Sequence, residues 1–139
     1  MFFLWVAAGK PEPNTTENPF TRDLRDPNAY YYKAVLWAYE NRITSGVSEK
    51  EFGKNLSVTR RDMLTFLYKQ KGSPAVTLTV SPYTDVTDSS AYYYKAVLWA
   101  YENGIEKGAD GKFNGKAKCM RETIVLWLYR TLEGKALAE

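Results

Sequence analysis

The chain has no histidine and a single cysteine among its 139 residues. Lacking imidazole, it is without the commonest general base and the commonest metal ligand. One thiol, Cys119, excludes an internal disulfide. At the start of a helical stretch, Cys119 reads as a small buried residue rather than a nucleophile. One cysteine and no histidine give no metal cluster, and nothing in the pattern asks for a cofactor. Asp110-Gly111-Lys112-Phe113-Asn114-Gly115 glances at a calcium loop, but Lys112 and Arg121 fall where that loop needs oxygen ligands. No Gly-rich phosphate loop or nucleophile motif appears, so the sequence points away from an enzyme.

Long apolar runs are absent too, and no segment is predicted to span a membrane. Phe2 to Ala8 is short and apolar, lacks a preceding basic region, and runs into Gly9-Lys10-Pro11. That argues against a signal peptide. Neither sign of charge dominates. With 19 basic and 16 acidic residues the net charge is +3, interspersed. Nucleic acid is not expected, and a weakly anionic ligand is compatible.

Aromatic residues are plentiful, at 15%, with 11 Tyr and 4 Trp. Such rings either fill helix–helix seams or form a surface for carbohydrate or protein. Thirteen residues also occur twice. AYYYKAVLWAYEN runs from Ala29 to Asn41 and again from Ala91 to Asn103. The likeness continues outside this block. Asp23 matches Asp85, Ile43 matches Ile105, and Gly46 matches Gly108. Further on, Phe52 meets Phe113, Arg60 meets Arg121, and Leu67-Tyr68 meets Leu128-Tyr129. Phe3-Leu4-Trp5 with Gly9-Lys10-Pro11 echoes Phe66-Leu67-Tyr68 with Gly72-Ser73-Pro74. A repeat fixes the unit of architecture. The reading is the last helix of a broken copy at 1–13, then full copies at 19–74 and 82–137, together one compact unit.

Each copy is predicted to be all-α, helix–loop–helix. The first helix is expected from Ala29 or Ala91, capped by Asp26-Pro27-Asn28 or Asp88-Ser89-Ser90. The second is expected from Arg60, capped by Thr59, or from Arg121. Its later copy places Ile124, Val125, Leu128 and Leu132 on one face. Residues 75–81 alternate and read as an extended linker. Glu40 and Glu102 read as solvated helix ends.

These elements together resemble the S-layer homology domain. The residues that carry this are Pro82-Tyr83-Thr84-Asp85-Val86, Tyr92 through Ala100, Asn103-Gly104-Ile105 with Gly108, Phe113, and Val58-Thr59-Arg60-Arg61-Asp62. The resemblance implies tandem repeats in a pseudo-threefold helical bundle, here with one incomplete prong. It implies a non-catalytic module that anchors bacterial surface proteins to an anionic, often pyruvylated, cell-wall polysaccharide. The site residues it implies are Arg60 and Arg121 with Asp23 and Asp85. Trp37, Trp99, Gly46 and Gly108 are its weaker candidates for groove walls. A guanidinium fork suits a ketal carboxylate, and a helix N-terminus would add unpaired N–H groups. On this basis Arg60→Ala with Arg121→Ala is expected to remove glycan binding and leave helix content intact.

The sequence departs from the family in keeping only part of one prong. That exposes apolar surface, which a protein partner or self-association would cover. A second function from another class follows: a small cytoplasmic protein-binding or inhibitor protein, borne by a phage or mobile element, that reuses the scaffold. The cell wall is the expected location if the chain belongs to an exported parent, and the cytoplasm if it is complete.

Overall fold

Helices form wherever the repeat places its apolar runs. In a computed structural model that describes residues 1–15, 17–53 and 57–132, they are α1 (Phe2–Ala7), α2 (Tyr32–Glu40), α3 (Arg60–Gln70), α4 (Tyr94–Glu102) and α5 (Arg121–Leu132). Among the described residues there is no strand, only two isolated bridges. The fold is all-α, as predicted. The Leu132 side chain and residues 133–137 of the last copy lie outside the described residues.

Two compact units divide the chain, Met1–Leu56 and Ser57–Glu139. The boundary falls inside the first full copy, where the sequence reading draws one unit over all copies. In the first unit α1 packs on α2, and in the second α3 packs on α4. The second helix of one copy is thus paired with the first helix of the next. Each pair is built from the same residue types. Leu4 and Trp5 are buried from α1, and Leu67 and Tyr68 from α3. Opposite them lie the buried Ala-Val-Leu-Trp-Ala runs of α2 and α4. Burying such side chains contributes about 1.5–3 kcal/mol each.

The first helices start later than their capping residues suggest. Asp26 and Asp88 accept from the backbone N–H groups of Asn28 and Ser90 and so close a turn. Ala29 and Ala91 belong to that turn, and the helices begin at Tyr32 and Tyr94 without a side-chain cap. Asx turns compete with capping for the same carboxylate, and here the turn wins. Thr59 does cap α3, accepting from the Asp62 N–H at 3.3 Å.

α5 is rotated relative to its predicted face. Trp127 is fully buried, stacks on Phe113 and donates to Glu106 at 2.9 Å. With Ile124 it forms the inner face, so Val125 points outward and is exposed.

Residues 75–81 form no strand. Glu102 is no free helix end. It accepts from the backbone N–H groups of Thr77 and Leu78 and from the Thr77 hydroxyl. Those bonds hold its carboxyl below the usual range. Glu40 makes a like clasp in the first unit, where its carboxylate accepts from the N–H groups of Asn14 and Thr15 at 2.9 and 2.8 Å. A second staple is also repeated. Trp5 Nε1 donates to the Pro11 carbonyl and Tyr68 Oη to the Pro74 carbonyl, each at 2.8 Å.

Candidate ligand groove at the start of α3

The loop after α4 is shaped by its own sequence. Asp110 and Gly111 both take positive φ, 54° and 74°, between Ala109 and Lys112, whose backbones exchange two hydrogen bonds. This is the type I′ hairpin turn that Asp-Gly favours, which accounts for the calcium-like spelling. Asp85 then fixes the next stretch by accepting from the N–H groups of Phe113 and Asn114 at 2.9 and 2.8 Å. Burial raises the Asp85 pKa, but these two backbone donors outweigh it and hold the carboxyl below its ordinary value. Asp23 has the equivalent role in the first unit, with the N–H groups of Phe52 and Gly53 at 2.9 and 2.7 Å.

The loop then runs onto the start of α3. Arg60 N donates to the Ala117 carbonyl, Arg61 N to the Gly115 carbonyl, and Cys119 N to the Val58 carbonyl. With Asp62 N on Thr59, the first-turn N–H groups of α3 are taken by the protein. The unpaired donors that the helix N-terminus promised to an anion are therefore not on offer.

Arg60 turns inward. Its Nε donates to the Phe113 carbonyl at 3.1 Å, and its guanidinium lies 3.4 Å from the Glu106 carboxylate. It also sits over the Phe113 and Trp127 rings at 5.1 and 5.3 Å. Arg121 opens α5 and is exposed.

Trp37 and Trp99 are core residues, and Trp99 packs on Tyr68 at 5.5 Å. Gly46 and Gly108 pass under aromatic rings. A Cβ at Gly46 would come within 2.4 Å of Phe20, and one at Gly108 within 2.3 Å of Tyr83. Both glycines have positive φ, so they are demanded by backbone and packing together. Cys119 is buried, and burial pushes its thiol up to about 11, which leaves it inert as a nucleophile at neutral pH.

The open feature is a groove of about 440 Å³ beside this junction. Arg61, Tyr93, Asp85, Asn114, Gly115 and Lys116 line it. The Arg61 guanidinium lies over the Tyr93 and Tyr92 rings at 5.0 and 5.8 Å. Among the described residues its Nε meets no acceptor. Tyr92 donates to Asp62, and burial with that bond pushes its hydroxyl up to about 12. Two cations and one already bonded carboxylate make the groove favourable to an anion. The sequence reading passed over Arg61 because it is not repeated: its counterpart is Glu122. In the first unit the loop positions 54–56 lie outside the described residues.

The family model of the S-layer homology domain matches residues 26–64 and 82–123, more than half of the chain. The chain belongs to the S-layer homology domain family. It is also 30% identical, over 124 residues, to a cell surface protein of Thermoanaerobacter kivui. That alignment covers 86% of this chain and 16% of the relative, so the chain spans about a sixth of that protein. No solved structure gives a significant match. S-layer homology domains are binding modules rather than catalysts, and these findings support a cell-surface anchoring module and point to the cell surface or wall. They lend nothing to the cytoplasmic alternative. Among the described residues no helix is long and apolar enough to cross a membrane.

Proposed function

We propose that this S-layer homology module anchors its parent protein by binding an anionic cell-wall polysaccharide in the groove at the start of α3. The observation that carries the reading is Arg61, whose guanidinium lies over two tyrosine rings while, among the described residues, its Nε meets no acceptor. Arg61 and Lys116 take the carboxylate, such as that of a pyruvate ketal, through charge-assisted hydrogen bonds. Tyr92, exposed at the rim, offers a ring face to the sugar. Asp85 and Arg60 hold the loop that forms the wall.

The test is binding of purified pyruvylated cell-wall polymer to wild type, Arg61→Ala and Lys116→Ala chains. Loss of at least tenfold in affinity in both variants, with helix content unchanged, is the expected result. Undiminished binding in both variants would refute the assignment. Chemical removal of the pyruvate should weaken binding to wild type by a similar factor.

A further inference from the structure

Arg61 and Asp62 are neighbours at the start of α3, and both reach Tyr92. Adjacent residues on a helix do not face each other. Here they share one ring: the Arg61 guanidinium lies 5.8 Å from its centroid, and the Tyr92 hydroxyl donates to the Asp62 carboxylate. Both charges act on that hydroxyl. Burial raises its pKa, the Asp62 bond and charge raise it further, and Arg61 lowers it by charge and hydrogen bond. The hydroxyl therefore stands between a carboxylate and a guanidinium. Among the described residues Arg61 joins no ion pair. A second ring limits where the guanidinium can go. Tyr93 holds it at 5.0 Å, and the Tyr92 and Tyr93 rings meet edge to face at 5.2 Å. Tyr92 recurs as Tyr30, whereas the α5 counterparts of Arg61 and Asp62 are Glu122 and Thr123. The opposed charges are a property of α3, not of the repeat.

We infer that Tyr92 is a positioning residue for the anion site, its hydroxyl holding the Asp62 carboxylate off Arg61. This rests on the Arg61 groove proposed above as the ligand site. A guanidinium paired with a carboxylate of its own chain has its fork occupied and its charge offset, so an incoming carboxylate must first displace that partner. With Asp62 satisfied by Tyr92, the Arg61 fork stays available to the groove it lines with Lys116. The donor that satisfies Asp62 is neutral, so neither of the two cations is spent on it. Tyr92→Phe would keep the ring against Arg61 and release Asp62, which then turns to the cation already lying on that ring.

The experiment is a double-mutant cycle on the full chain, with wild type, Tyr92→Phe, Asp62→Asn and the two changes combined. One readout is the rate at which phenylglyoxal modifies Arg61, followed by peptide mass spectrometry with no saccharide present. The other is affinity for pyruvylated cell-wall polymer. Tyr92→Phe should lower both by about threefold, the size of a partly exposed ion pair. In the Asp62→Asn background the same change should lower neither, because no carboxylate is left to engage Arg61. Thr59 caps α3 through the Asp62 backbone N–H, and Tyr92 is 61% exposed, so all four chains should fold with equal helix content. Arg61 reactivity that is unchanged or raised in Tyr92→Phe overturns the inference. So does an equal loss in both backgrounds, which would make the hydroxyl a structural tie and no more. If Arg61 reactivity follows the cycle while polymer affinity does not, the positioning of Arg61 is upheld and the proposed saccharide site is what fails.

Discussion

Glu106 is shared between two partners: Oε2 lies 3.4 Å from the Arg60 guanidinium, and Oε1 accepts from Trp127 Nε1 at 2.9 Å. A loop carboxylate thereby joins the start of α3 to the middle of α5. Both charged side chains are largely buried. Removing one of them strands the other, which costs about 3 kcal/mol at the lower end for buried pairs. Arg60→Ala should therefore lower the unfolding free energy by about that much in chemical denaturation. Arg61→Ala should affect stability far less and saccharide binding far more. The two neighbouring substitutions, measured side by side, separate support from contact.

The two copies end their first helices differently. Gly104 takes φ 69° after α4, and Arg42 takes φ 61° after α2. A side chain in that left-handed region costs about 1 kcal/mol. Arg42→Gly should raise stability by about 0.5–1 kcal/mol, and Gly104→Arg should lower it by about 1 kcal/mol. Thermal melts of the two reciprocal variants check the sign. A loss of stability in Arg42→Gly would contradict it.

Asp85 has a folded pKa below its ordinary value, so its contribution has a defined direction with pH. A depressed carboxyl stabilises the fold above its unfolded pKa, about 4, and this is lost as pH falls through the folded value. Asp85→Asn should destabilise the chain at neutral pH and flatten the acid side of its stability curve. Denaturation midpoints between roughly pH 2 and 7 measure both effects.

Glu102 makes a prediction about order. Its carboxylate collects the amides of Thr77 and Leu78. Glu102→Ala should speed hydrogen exchange at those two amides and leave the α4 interior, around Val97 and Leu98, protected. Exchange that is unchanged at Thr77 and Leu78 would show that the clasp does not hold the linker.

Much of this architecture was legible in the residues. The doubled thirteen-residue block, the Gly-Lys-Pro and Gly-Ser-Pro stops and the Thr59 cap locate the helices, because each acts through local backbone chemistry. The actual helix starts at Tyr32 and Tyr94 were not legible, since an aspartate can close a turn or cap a helix and spacing does not choose. The roles of Arg60 and Arg61 were likewise hidden. Adjacent helical residues point about 100° apart, and which of them faces inward depends on Phe113, Glu106 and Trp127, far along the chain. Repetition drew attention to Arg60, because a residue needed by the fold recurs in each copy. Arg61 occurs once, and the groove belongs to it.

The pairing of α3 with α4 separates the segment that was copied from the segment that folds. A piece cut at the sequence limits of one copy would carry two half-cores and no whole one. A piece running from residue 57 through 132 instead would keep a complete seam together with the Glu106 and Phe113 contacts of Arg60. Proteolytic fragments and engineered truncations of this chain should accordingly survive when their ends fall within a copy, and fail when they respect its boundaries.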